Sequence, residues 1–205
     1  MNSVAAPLVM QRRGASLSVV VWLLIGVGTA LFGLFGLAYG MRMLEADWTP
    51  LALPPQLRLS TALLVFASLA LQGAARHTRL GLWTDAQARY AAAGACAIAF
   101  VACQWWVWRQ MQAGQVMPST SPMASFFYML TALHALHVLG GLVAWARVWP
   151  VLAAAPNVAA GRATAASRVQ LCARYWHFLL AVWLLMYAGL SWLTPEVVQF
   201  ICGRG

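Results

Sequence analysis

"FFYMLTALHALHVLGGLVAW" (residues 126–145) is twenty residues without a charge, and it carries two histidines, a tyrosine and a glycine pair. Its length matches the roughly 20 residues a helix needs to cross a bilayer. A membrane helix with two imidazoles raises three possibilities: metal ligands, proton carriers, or polar contacts between helices. His134 and His137 are three residues apart, which puts them about 60° from each other around a helix.

The rest of the chain has the same character. Of its 205 residues, 62% are hydrophobic and 8% charged, where a soluble domain has about a quarter charged. A chain this apolar takes the bilayer as its solvent. All thirteen basic residues are arginine, and the formal charge is +9. The arginines flank apolar segments rather than forming a patch with interleaved aromatics, so they mark membrane topology and not a nucleic-acid surface.

These charges delimit five spans, at approximately 17–42, 57–76, 88–110, 122–147 and 170–194. The predicted fold is an all-α integral membrane bundle of five transmembrane helices, with residues 1–205 forming a single membrane domain. The first span is too long for a signal-peptide core and is read as a helix. With the N-terminus inside, nine arginines fall inside (Arg12, Arg13, Arg76, Arg79, Arg89, Arg147, Arg162, Arg168, Arg174) and four outside (Arg42, Arg58, Arg109, Arg204). That bias predicts a cytoplasmic N-terminus and a periplasmic C-terminus. Trp48, Trp83, Trp105, Trp108 and Trp192 near span ends fit an interfacial belt. The Pro-rich "EADWTPLALPPQ" is predicted to be an ordered outer turn, and "AAAPNVAAGRATAAS" a flexible inner loop.

Few residues offer chemistry. His177 on the last span could face His134 or His137 as a bis-imidazole haem pair, or all three could hydrogen-bond between helices. Cys96, Cys103, Cys172 and Cys202 form no C-x-x-C, so neither a thiolate metal site nor covalent haem is signalled. The four acids, Glu45, Asp47, Asp85 and Glu196, all lie outside the apolar spans. Proton-moving proteins place acids at depth, so this chain makes a poor proton wire. Gly36 and Gly40 have the small-xxx-small spacing that lets helices approach closely, and Gly140 and Gly141 offer a second such surface. Together these features describe a helix bundle with packing surfaces and no evident redox centre.

In chain order the motifs resemble the five-helix form of subunit III of haem–copper oxidases. "FFYMLTALHALHVLGGLVAW" resembles that family's penultimate helix, and "RYWHFLLAVWLLMY" its last, with the Tyr-Trp-His-Phe signature. "VWLLIGVGTALFGLFGLAYGMR", "DWTPLALPPQLRLSTALLVFASLALQGA" and "QWWVWRQMQAG" resemble the preceding segments. The resemblance implies a subunit of a bacterial inner-membrane cytochrome c or quinol oxidase that carries no redox cofactor. Haems and copper would sit in its partner, subunit I. It also implies bound phospholipid, with Arg76, Arg79, His134, His137, Tyr175, Trp176 and His177 as lipid or structural polar contacts and no metal ligand. The lipid is expected in a cleft between the first two helices and the other three. Two carboxylates usual in the family are missing, their positions taken by Gly28 and Leu180. Related readings are an accessory subunit of a nitric oxide reductase-type complex and a self-contained b-type cytochrome.

Overall fold

The structure, a computed structural model, describes residues 5–195 and residue 198, with side chains described from residue 17 onward except at residue 160. Glu196, Cys202 and Arg204 lie outside the described residues, as do the side chains of Arg12 and Arg13. Five α-helices follow in order: α1 Ala5–Arg42, α2 Gln56–Arg79, α3 Trp83–Ala113, α4 Pro122–Ala154 and α5 Arg162–Trp192. All five are long and apolar enough to cross a membrane, and no strand occurs among the described residues. The chain is an all-α, multi-pass membrane protein. The physical reason is strict: without water in the hydrocarbon, every backbone N–H and C=O must be satisfied within the segment.

Local chemistry sets the helix ends. Ser121 caps α4, its Oγ accepting from the Ala124 N–H at 3.2 Å, and Pro122 occupies the first turn where no N–H is needed. The turn from α2 to α3 is only Leu80–Leu82. Gly81 adopts φ +75° there, while Leu82 N–H donates to the His77 carbonyl at 3.0 Å and Gly81 N–H to Thr78 at 3.3 Å. Glycine enters that left-handed conformation without a Cβ penalty. The result is a tight α2–α3 hairpin.

Every helix outruns its span read from the sequence at one end or both, and α4 and α5 do so into the loop between them. α4 continues through Pro150 to Ala154, and α5 begins at Arg162. Much of the Ala-rich stretch expected to be a flexible loop is therefore helix, because alanine is the strongest helix former and needs no burial to remain helical. What is left is residues 155–161, ending in a 3-10 turn at Ala159–Gly161. The Pro-rich turn between α1 and α2 is ordered and packed. Trp48, Leu51 and Leu53 lie against the core, and Leu51 N–H points at Met123 Sδ at 3.0 Å.

α2 packs against α3 and α5, and α4 against α5 and α3. The centre is filled by Trp176, Trp183, Tyr90, Phe100 and Phe127, interleaved with buried leucines. α1 leans on α5 and α4 from outside. Only 11% of its apolar window is buried, against 56% for α5. The first two helices therefore do not form a separate pair: α2 belongs to the core and α1 stands alone.

Candidate functional site

The α1 side of α4 and α5 carries two grooves. One, about 620 Å³, runs along Leu17–Leu24 of α1 and has His137, Gly140, Cys172 and Tyr175 on its walls, with Arg147 and Arg168 also lining it. The other, about 480 Å³, is lined by Phe32, Gly33, Gly36 and Tyr39 of α1, by residues of α5 from Phe178 to Leu190, and by Leu193 just beyond it. The predicted cleft is thus relocated: α1 alone faces α4 and α5, because α2 is locked to α3 by the short hairpin and to α5 by side-chain bonds.

Those bonds identify what His177 does. Its Nδ1 meets the Ser68 hydroxyl, and its Nε2 lies 3.0 Å from Gln72 Oε1. Both ring nitrogens are engaged with α2. A haem iron could take one only by breaking a contact that fastens α5 to α2. The same seam holds a bond from Trp183 Nε1 to Thr61 Oγ1 at 2.9 Å. Nearby, Gln104 Nε2 donates to Ser60 Oγ at 3.0 Å and Trp108 Nε1 to Thr131 Oγ1 at 3.1 Å. Each of these bonds joins one helix to another, at about 0.6–2 kcal/mol in such a setting.

His137 and His134 differ from His177. His137 Nδ1 bonds back to the Leu133 carbonyl at 2.8 Å, and its ring tilts over Phe32 at 5.3 Å. His134 is wholly buried in a box of Phe32, Phe100 and Trp183, with ring centroids 6.2, 5.8 and 5.2 Å away. Neither of its ring nitrogens has a hydrogen-bond partner among the described residues. Its contacts are aromatic packing and not the expected polar ones. Tyr175 donates to the His137 carbonyl at 3.3 Å, and Trp176 packs on Gly141 with its indole N–H unpartnered. No group of three metal-binding side chains occurs among the described residues.

Arg76 and Arg79 are brought together, but away from α1. They line a pocket of about 480 Å³ between α2 and α5, with Gln72, Gln170 and Arg174. The sequence reading missed Arg174 and both glutamines. Of the glycine surfaces, Gly141 is a close-approach position, with Trp176, Tyr175 and Leu179 at 3.3–3.4 Å from where its Cβ would be. Gly36, Gly40 and Gly140 have no such neighbour. Gly28, where the oxidase resemblance lacks its usual acid, lies under Phe178, and Leu180 packs against the core.

Glu45 and Asp47 lie in the turn after α1, and Asp85 lies in the first turn of α3. Arg42 clasps Asp47 through two hydrogen bonds at 2.6 and 2.5 Å, the one ion pair among the described residues. Those bonds hold the Asp47 carboxyl below its ordinary range. No protein-family model matches the sequence, and no curated protein matches it.

Proposed function

We propose that this chain is an accessory subunit of a bacterial respiratory terminal oxidase, equivalent to subunit III, with a cytoplasmic N-terminus and a periplasmic C-terminus. It carries no redox cofactor. It holds phospholipid and stabilises the haem- and copper-bearing subunit I during oxygen reduction and proton pumping. The observation that carries the reading is the groove along α1. Its walls are apolar for much of a leaflet, and Arg147 and Arg168 both line it. An acyl chain below an anionic phosphate has that shape and that distribution of charge.

The helical pairing is consistent with a supporting role. Several polar side chains at depth join helix to helix, and the acids lie outside the apolar spans, so the chain has no carboxylate relay of its own. The exposed outer face of α1, with Trp22, Leu23, Val27, Leu34 and Leu37, is available to lipid or to a neighbouring subunit.

The test is gentle extraction from native membranes, followed by identification of companion subunits and a visible spectrum of the isolated chain. A large haem-bearing subunit should co-purify, and the isolated chain should show no haem absorbance. A homo-oligomer without any haem protein attached would overturn the reading, as would a b-type spectrum from this chain alone.

A further inference from the structure

The pocket between the end of α2 and the N-terminal half of α5 gathers three arginines and two glutamines around Ala75 and Ala173. Arg76 and Arg79 come from α2 and Arg174 from α5. None of the three is ion-paired to an acid among the described residues. A guanidinium offers only donors and stays charged at every physiological pH. Gln72 contributes in the same sense, because its Oε1 is already taken by His177 Nε2, which leaves its two N–H groups free to donate. With Gln72 Oε1 facing it, His177 Nε2 is the ring nitrogen that carries the proton, and in that tautomer Nδ1 accepts from the Ser68 hydroxyl. A fourth arginine, Arg89, lies against Gly73 on the same stretch of α2.

Three like charges around one concavity repel each other, and the repulsion is relieved by a bound counter-charge. A pocket of donors calls for a ligand of acceptors. Arginine forks from two sides match the oxygens of a phosphate better than those of a single carboxylate. Depth narrows the choice further. Gln72 to Arg79 rises about 10 Å along the end of α2, more than the roughly 5–7 Å thickness of one headgroup layer.

We infer that the α2–α5 pocket of Arg76, Arg79, Arg174, Gln72 and Gln170 is a binding site for the phosphate group of an anionic phospholipid, separate from the groove along α1. It deepens the lipid-holding half of the proposed function and rests on that half. The oxidase partner can be wrong without affecting it.

The full-length chain, purified in neutral detergent, is compared with Arg174→Gln, Gln170→Leu and Arg162→Gln. Arg162 is on the same helix but bonds to the Ala155 and Pro156 carbonyls outside the pocket. Native mass spectrometry counts retained lipid. Thermal unfolding is followed with added phosphatidylglycerol, phosphatidylcholine or inorganic phosphate. Arg174→Gln should weaken phosphatidylglycerol binding about fivefold. Gln170→Leu should weaken it less, and Arg162→Gln should leave it unchanged. Phosphatidylglycerol should stabilise the chain more than phosphatidylcholine. Stabilisation by inorganic phosphate equal to that by phosphatidylglycerol would support the phosphate site but overturn its assignment to lipid. Equal losses in Arg174→Gln and Arg162→Gln would mean diffuse surface charge and would overturn the site while lipid holding stands. Failure of every form to retain lipid would overturn both.

Discussion

Tyr90 and Trp145 exchange two hydrogen bonds between α3 and α4: Tyr90 Oη donates to the Trp145 carbonyl at 3.1 Å, and Trp145 Nε1 donates to the Tyr90 carbonyl at 2.9 Å. Their rings stack with centroids 5.8 Å apart at 11°. The indole lies so close over Gly94 that a Cβ there would fall inside it. Gly94→Ala should therefore destabilise the chain by about 2 kcal/mol, since overpacking against an anchored ring outweighs the ~1 kcal/mol gained in helix propensity. Tyr90→Phe should cost about 1 kcal/mol. Thermal unfolding in detergent measures both, and a Gly94→Ala variant as stable as the parent would show that the stack is not fixed.

His134→Phe should leave stability unchanged or raise it. The box of Phe32, Phe100 and Trp183 accepts a ring, and the substitution removes two buried nitrogens that have no partner. A buried polar group without a partner costs about 1–3 kcal/mol. A clear drop in Tm would mean that His134 bonds to something held in the assembled protein.

Hydrophobic carbodiimides label protonated carboxyl groups inside the bilayer. The spans Leu17–Arg42 and Arg162–Trp192 hold no acid, so peptides from them should stay unlabelled. Gly28→Glu should create one labelled site. A Cβ at residue 28 would be 4.0 Å from His137 Nε2 and 2.9 Å from the Phe178 ring, so Phe178 has to swing aside and the variant should be less stable than the parent. Label on α1 of the parent would contradict the reading of its chemistry.

The Arg42–Asp47 clasp sets a pH dependence at the turn after α1. Because Asp47 titrates below the usual value in the folded chain, the pair is intact above the ordinary aspartate range of about 3.9. Its contribution is lost as the pH falls through Asp47's own lowered value. Carboxyl NMR should place Asp47 below the ordinary aspartate range, and Arg42→Gln should return it there. An Asp47 titration that ignores Arg42→Gln would mean the clasp does not form in solution.

The five spans were legible because charge is excluded from hydrocarbon, so Arg13, Arg42, Arg58, Arg76, Arg89, Arg109, Arg147 and Arg174 bracket them almost by themselves. Which face of each helix turns inward was not legible. Lipid is as apolar as the core, so Leu185 at 75% exposed and Leu179 fully buried look alike in sequence. The site residues divide in the same way. Arg76 and Arg79 are visible as a pair, but Arg174 joins them only through the α2–α5 packing. The partners of His177 on α2 lie about a hundred residues earlier in the chain, and nothing local announces them. The Ala-rich stretch after α4 was misjudged because small residues suggest a loop by composition while their backbone preference is helical.

α5 touches α1, α2 and α4, yet it follows all four other helices in chain order. During synthesis the ribosome can deliver the α2–α3 hairpin as a self-contained unit, joined by its three-residue turn. α4 can dock on α3 through the Tyr90–Trp145 pair, but α1 must wait in the membrane until α5 emerges and supplies most of the surface it rests on. For that interval α1 is tethered by little more than its connecting loop, so an assembly factor or a partner subunit that captures this protein early would meet α1 first, before the bundle has closed behind it.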